Sequence, residues 1–508
     1  MNQTELLHAQ FPHLRELEPF DHALSSTPWL ADAKTKRRRK LCDTLEQAVA
    51  FCGLQDGMTI SFHHAFREGD EIINRVIDTL AERGFKNLTL ASSSLMGCND
   101  ALIRHIENGV ISRIYTSGMR GKLAEAISHG LMAEPVQIHS HGGRVKLLQD
   151  GELNIDVAFL GVSCSDEFGN ANGTHGTSCC GSLGYAMVDA HFARKVVVLT
   201  AQLVPFPNTP ASLVQDQVDC IVHVPRVGDP ARISVGAARV TNNPRELMIA
   251  RCAAEVIEHS GYFRQGFSLQ TGSGAAATAC TRFLGEKMAR CGVKARFALG
   301  GITGSLVALH EQGLIEKLLD TQSFDATAAT SLASNPNHVE ISTNVYASPG
   351  SKAASCDQLD VVILSALEID VDFNVNVITG SDGVMRGASG GHCDVAAAAS
   401  LTIVVAPLLR SRIPTVVKQV TTRLTPGECI DVLVTDHGIA VNPARPEVRQ
   451  RLTEAGLKVT DIGALYQRAI SLSGEPRPIE FTDKIVGVIR YRDGSVIDTV
   501  RQVKELAR

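Results

Sequence analysis

The sequence predicts an α/β protein built from two related open α/β domains, and three observations predict it. The first is an internal repeat. Asp156-Val-Ala-Phe-Leu-Gly-Val-Ser-Cys-Ser-Asp-Glu-Phe-Gly-Asn170-Ala-Asn172 returns about 200 residues later as Asp360-Val-Val-Ile-Leu-Ser-Ala-Leu-Glu368-Ile-Asp-Val-Asp-Phe-Asn374-Val-Asn376, a period too long for a solenoid and suited to two copies of one domain. Pro135-Val-Gln-Ile-His-Ser and His338-Val-Glu-Ile-Ser recur at nearly the same spacing, as do Gly109-Val-Ile-Ser-Arg-Ile and Gly313-Leu-Ile-Glu-Lys-Leu. The second is an alternation of short β-rich runs with helical stretches, the pattern of parallel sheets. The third is length: 508 residues exceed what one hydrophobic core ordinarily serves.

In chain order, an N-terminal extension covers residues 1–45. It carries the basic run Lys34-Thr-Lys-Arg-Arg-Arg-Lys40, which reads as a solvated face or as a contact for an acidic partner or for phosphates. The first α/β domain spans 46–235. Met58–Phe62 is its first strand, Asp70 to Arg83 a helix, and Leu88–Ala91 the next strand. Val157–Leu160, Val196–Leu199 and Cys220–Val224 are further short strands bounded by Gly, Pro and Asp. The second domain spans 236–508. Asn243-Pro244-Arg-Glu246 opens a helix, with an N-cap, Pro at the first helical position and Glu at the third. Phe267–Gln270 is then a strand, followed by a Gly-rich turn, a helix to Arg290 and the strand Phe297–Leu299. At the end of the chain, apolar and polar residues alternate around Asp493-Gly494, which predicts a β-hairpin.

Composition excludes several classes. The net charge of −5 gives no global attraction to nucleic acid or anionic membrane. The longest apolar run, Val395 to Leu409, contains Ser400 and Thr402 and is broken by Pro407, so it does not span a bilayer. The first residues are polar, with Glu5, His8 and His13, and lack a signal-peptide core, so the expected location is cytoplasmic. The 13 Cys include no C-x-x-C pair and form neither a disulfide framework nor a zinc knuckle.

Chemistry is expected in the Gly-rich loops. Thr271-Gly272-Ser-Gly274-Ala-Ala-Ala277 follows a strand and opens a helix, a form that lets backbone N–H groups approach a pyrophosphate or an acyl group. A dinucleotide site also wants an acidic residue about 20 residues on. Arg290-Cys-Gly-Val-Lys-Ala-Arg296 supplies none, so NAD is disfavoured, and a tight turn without a ligand stays open. The second loop, Ser381 to Asp394, contains Gly387-Ala-Ser389-Gly390-Gly391. This fits G-x-S-x-G, but no buried strand precedes it directly, as a nucleophile elbow requires. A cradle for an anion or oxyanion, with Arg386 and His392 beside it, suits it better. His63-His64 and His139-Ser-His141 could ligate a metal, but no third ligand closes the set. Hydrogen bonding to a polycarboxylate, or ordinary buried histidines, fits them better.

Longer motifs carry a resemblance. Arg386-Gly-Ala-Ser-Gly-Gly-His-Cys-Asp394, preceded by Ala366-Leu-Glu368-Ile-Asp370 and Asn374-Val-Asn376, resembles the Gly-rich loop of acyl-CoA hydrolases and CoA-transferases. More specifically, five stretches resemble the alpha subunits of bacterial citrate lyases. They are Leu54–Phe66, Val136–Gly143, Gly151–Asp156, Glu167–Gly173 and Val434–Pro446, and the similarity runs from about Arg38 to Val503. The resemblance implies two CoA-transferase-type domains with a thioester between them. It also implies a transferase that exchanges the acetyl group of an acyl carrier protein for citrate, giving citryl-carrier and acetate. Implied partners are the carrier (gamma) subunit and a beta subunit that cleaves citryl-carrier to oxaloacetate. No cofactor is expected to be attached to this chain; the carrier's phosphoribosyl-dephospho-CoA arm is its substrate.

With that activity expected, the residues and motifs above take roles. Gly300, Gly301, Glu368, Gly390, Gly391 and His392 are expected at the thioester and oxyanion site. His63, His64, Arg67, His139, His141 and Arg386 are expected to bind substrate. Gly272, Gly274, Asn374, Asn376, Gly387 and Asp394 are expected to hold the arm. One departure stands out. Many CoA-transferases place a nucleophilic Glu where this chain has Gly300-Gly301-Ile-Thr303, so citrate's own carboxylate is expected to attack, with Gly300 and Gly301 leaving room for it. Glu368 is a possible acid or nucleophile, with a structural or hydrogen-bonding role favoured. A citramalate-specific transferase, a free acyl-CoA transferase or thioesterase, and a non-catalytic sugar-phosphate sensor on the same fold remain open.

Overall fold

The structure is a computed structural model that describes residues 3–17, 40–233, 238 and 241–504. Lys34 to Arg39 of the basic run lie outside the described residues. Residues Met1–Lys40 form one compact unit and Leu41–Arg508 another. The first contains a helix, Gln3–Gln10, and a short 3₁₀ turn, Pro12–Leu14, neither of which buries a residue.

The second unit holds two large sheets with the same internal order. In the first sheet, Cys220–His223, Lys195–Thr200, Val157–Val162, Thr59–Phe62, Leu88–Ser92, Ile111–Thr116 and Val136–Ile138 lie side by side. In the second, Val432–Val434, Leu401–Val405, Val361–Ser365, Phe267–Thr271, Ala295–Ile302, Ile315–Ser323 and His338–Glu340 follow the same sequence of positions. All pair in parallel within these runs. The repeat in the sequence is therefore a repeat of topology. Strands covered on both faces have no polar side to show to water, and Val157–Val162 is buried at every position.

Helices close the faces. Ile72–Glu82 buries Ile72, Ile73, Val76, Ile77 and Leu80, one stripe at helical spacing. Pro244–His259 starts as its sequence predicts, with the Asn243 side chain accepting from the Arg245 N–H. The expected strands all form, within three residues of their predicted ends.

Two boundaries need correction. The C-terminal hairpin forms, Phe481–Arg490 against Val496–Val503, but its first strand pairs with Val136–Ile138, so it extends the first sheet rather than the domain it follows in sequence. Leu41–Cys42, assigned to the extension, pairs with Cys220–His223 at the other edge of that sheet. Neither pairing is legible locally, because an edge strand is recruited by whichever open edge the fold brings near it.

Two seams join the halves. On one side Ser389 N–H donates to Ser117 O at 2.7 Å, Met119 N–H to Gly387 O at 3.2 Å, and His141 N–H to Gly390 O at 2.8 Å. Asp394 completes this seam, accepting from Ser140 Oγ at 2.7 Å and Gly142 N–H at 2.9 Å. On the other side Glu340 accepts from Leu183 N–H at 2.6 Å and Ser212 Oγ at 2.7 Å.

Candidate active site

Between the seams lies a cavity of about 750 Å³. Its lining comes from the carboxyl ends of strands in both sheets, where ligands bind in open α/β folds. His64 and Arg67 follow Thr59–Phe62, Arg120 follows Ile111–Thr116, and His141 follows Val136–Ile138. Facing them, Gln270 and Gly272 close Phe267–Thr271, Phe324 follows Ile315–Ser323, and Tyr346 follows His338–Glu340. The loop from Arg386 to His392 lines the same space.

Arg67 is the most unusual group. It is buried, and its Nε and Nη2 have no hydrogen-bond partner among the described residues. Its backbone has a φ of 51°, a conformation that costs a non-glycine residue energy and clusters at functional sites. Burial lowers its pKa to about 10, so it stays charged at neutral pH. Beside it His64, His141 and Tyr185 form a ring cluster, with centroids 4.6 to 5.6 Å apart. Burial is also the main reason that His64 is held well below, and His141 lowered to about 3 from, the ordinary imidazole value. Both are neutral at pH 7, which leaves Arg67 as the buried charge of this cluster.

The structure brings together eleven of the expected residues: His64, Arg67, His141, Gly272, Gly274, Gly301, Arg386, Gly387, Gly390, Gly391 and His392 line the cavity. The rest do not reach it. His63 is bonded to Gly161 O at 2.7 Å, and His139 is wholly buried behind the strand end. Glu368 is enclosed by Asn376 Nδ2 at 2.9 Å, Ser381 Oγ at 3.0 Å and Thr421 N–H at 2.8 Å. Asn374 is tied to Asp370 at 3.2 Å, and Asp394 belongs to the seam. These polar side chains fold the loop rather than meet a ligand. His392 lines the cavity but spends both ring nitrogens, on Thr425 Oγ1 at 2.8 Å and Ser365 O at 3.1 Å, so it is no oxyanion donor.

Gly300 also departs from expectation. A Cβ there would lie 2.9 Å from Gln270 Cδ: the space that Gly300 vacates is filled by the Gln270 amide, which donates from Nε2 to Tyr346 Oη at 2.8 Å. At Gly301 a Cβ would meet the Phe324 ring at 2.2 Å. Among the described residues lining the cavity the one carboxylate is Glu246, which accepts from Thr241 Oγ1. Tyr185, Gln270, Phe324 and Tyr346 went unremarked in the sequence, because single residues outside any motif carry no local signal. For Gln270 and Phe324 the position at a strand end of a repeated sheet is the signal that could have found them; Tyr185 and Tyr346 lie in the helices Gly184–Phe192 and Thr343–Ala347 and offer no such signal.

Two repeated parallel sheets facing each other across a cavity at their carboxyl ends are the fold of CoA-transferase-type proteins. Solved structures of low identity share the fold, among them a malonate decarboxylase from Pseudomonas (15% identity, TM-score 0.62, covering 87% of this chain and 88% of that one) and a 4-hydroxybutyrate CoA-transferase from Porphyromonas gingivalis (16%, TM-score 0.55, 87% and 98%). The chain belongs to the citrate lyase alpha subunit family, whose model matches residues 38–503. It is 65% identical to the citrate lyase alpha chain of Klebsiella pneumoniae, over 98% of each chain, and 67% identical to that of Escherichia coli, over 93% of each. A structure described as the citrate lyase alpha subunit of Streptococcus mutans in complex with citrate superposes with a TM-score of 0.91 at 50% identity, covering 96% of this chain and 93% of that one. No helix among the described residues is long and apolar enough to cross a membrane.

Proposed function

We propose that this chain replaces the acetyl group on an acyl carrier's thioester with citrate, by direct attack of a citrate carboxylate. The observation that carries this reading is Arg67: a buried guanidinium with two nitrogens that have no hydrogen-bond partner among the described residues, in the wall of a cavity between two CoA-transferase-type sheets. An uncompensated buried charge is costly, and a carboxylate supplies the bidentate partner that a guanidinium fits.

A citrate carboxylate oxygen attacks the thioester carbonyl. The C–S bond breaks, the thiolate leaves, and a mixed acetyl–citryl anhydride remains. The thiolate then attacks the citryl carbonyl and acetate departs with the bridging oxygen, giving citryl-carrier with no net proton transferred. The protein's part is to hold two anions in attacking geometry and to stabilise the oxyanion, which together lower a barrier by many kcal/mol. The second task falls to backbone N–H groups of the Gly390-Gly391 turn, a reading supported by that turn's lining the cavity. Arg67, His64 and His141 hold citrate. Gly272, Gly274, Arg386 and Arg410 line the remainder of the cavity, where the carrier's phosphoribosyl-dephospho-CoA arm would enter. The partners are a carrier subunit and a subunit that cleaves citryl-carrier, and the reaction is placed in the cytoplasm.

The test is acetate release. Purified protein given acetyl-carrier should release acetate on adding citrate, more slowly with citramalate, and slowest when acetyl-CoA replaces the carrier thioester. No citrate-dependent acetate would refute the reading, and a preference for free acetyl-CoA would make the chain a free acyl-CoA transferase or thioesterase.

A further inference from the structure

We infer that Gln270 reads the hydroxyl group of the substrate and so makes the site selective for a hydroxy-polycarboxylate. The inference rests on the reading of citrate as the ligand of this cavity. It starts from the buried polar atoms of cavity-lining residues that have no hydrogen-bond partner among the described residues. These are Arg67 Nε and Nη2, His141 Nδ1, Ser117 Oγ, Thr321 Oγ1 and Gln270 Oε1. The guanidinium nitrogens donate only, and the hydroxyls and the imidazole nitrogen can take either role. Gln270 Oε1 can only accept.

A ligand made of carboxylates alone brings only acceptors. It satisfies Arg67 and leaves the Gln270 carbonyl facing negative charge, with a desolvation cost unrecovered. A ligand that also carries a hydroxyl brings the missing donor. Citrate has one, on its central carbon. The amide is oriented for this role, because Nε2 is held by Tyr346 Oη at 2.8 Å and the amide packs against Gly300. Tyr346 is buried, and desolvation raises its pKa well above the ordinary phenol value, so its hydroxyl stays neutral and continues to accept from the amide.

The test measures Kd for citrate and for 1,2,3-propanetricarboxylate, the same skeleton without the hydroxyl, by calorimetry on the full chain. A site built around a hydroxyl rejects the analogue lacking it strongly, so the wild type should favour citrate by at least ~100-fold. Gln270→Met, close in shape and without the carbonyl, should bring the two constants to within about threefold by weakening citrate alone. Gln270→Glu keeps an acceptor, so it should weaken both ligands by charge repulsion and preserve their ratio.

Equal wild-type affinities would overturn the inference, even if no variant folded. So would Gln270→Met weakening both ligands alike, which is the signature of an amide turned to offer Nε2 to a carboxylate. Binding of neither ligand would sink the functional reading and this assignment with it, whereas binding of both alike sinks the assignment alone.

Discussion

The guanidinium carbon of Arg67 lies 4.5 Å from the centroid of the Phe324 ring, and the two residues follow strands of opposite sheets. The ring face attracts the cation without using its N–H groups. The charge is thereby held at the junction of the two halves while Nε and Nη2 stay available to a ligand.

Replacing Arg67 by Met should therefore separate binding from folding. Loss of a charge-assisted pair costs about 3 kcal/mol, or roughly 100-fold, and should appear in the citrate KM with the carrier KM unchanged. The thermal midpoint should not fall, because a buried charge with no carboxylate partner among the described residues is removed and Met keeps the contact with the Phe324 ring. Equal changes in the two KM values would show that Arg67 is structural.

The Gly390-Gly391 turn should be sensitive at one position more than the other. A Cβ on Gly391 would lie 2.3 Å from Tyr346 Oη, whereas a Cβ on Gly390 would find its nearest neighbour, His141 Nε2, at 3.7 Å. Gly391→Ala must push the loop or the tyrosine aside and should lower kcat by about 100-fold, the scale of a lost oxyanion donor. Gly390→Ala has room. Its φ of 54° costs about 1–2 kcal/mol of stability, and kcat should fall less. Steady-state kinetics of the two variants checks the order, and the reverse order would contradict this placement of the turn.

Much of the fold was legible in the sequence. The repeat announced two copies of one sheet, and β-rich runs between turn residues located the strands, because buried parallel strands must be apolar along their whole length. The Asn243-Pro244 start of its helix was legible for the same reason: capping chemistry is local. The site was legible only in part. His64, Arg67 and the Gly-rich loops stand in motifs, but His63 and His139 stand in the same motifs one or two residues away and point into the protein. Which of two neighbouring histidines faces the cavity depends on how the strand end enters it. Glu368, a carboxylate in a polar loop, looks reactive, yet its oxygens are consumed by Asn376, Ser381 and Thr421, in keeping with a hydrogen-bonding role. The edge pairing of the C-terminal hairpin depends on contacts more than 300 residues apart in sequence, which no local pattern records.

Buried neutral histidines should make the protein sensitive to acid. Burial lowers His139 and His141 to about 3 and His392 to about 4, from 6.5. A depressed histidine contributes stability that is present above the unfolded value of 6.5 and is lost as pH falls toward the folded value. Asp394 acts in the opposite sense. Burial raises it to about 6, so its contribution is present below 3.8 and lost as pH rises through 6, which partly offsets the histidines between those values. Denaturant unfolding at pH 7 and pH 4.5 should show a lower midpoint at pH 4.5. His139→Gln should shrink that difference by about 2 kcal/mol. An unchanged difference would mean that His139 is protonated in the folded state.

Glu368 should prove dispensable for the chemistry. Measured per folded molecule, Glu368→Gln should keep kcat within about tenfold of wild type, whereas loss of a covalent nucleophile removes a thousandfold or more. Borohydride or hydroxylamine treatment after incubation with acetyl-carrier should trap no acylated peptide. A labelled peptide containing Glu368 or Glu246 would identify that carboxylate as the nucleophile.

Direct attack by citrate is tested most directly by following oxygen through a single turnover. Enzyme in excess over acetyl-carrier is mixed with citrate whose carboxylates carry oxygen-18, and the released acetate is analysed by mass spectrometry. If citrate attacks the thioester itself, the anhydride's bridging oxygen leaves with the acetyl group, and acetate from the first turnover carries one oxygen-18. Unlabelled acetate in that turnover would mean that a carboxylate of the protein took the acetyl group first.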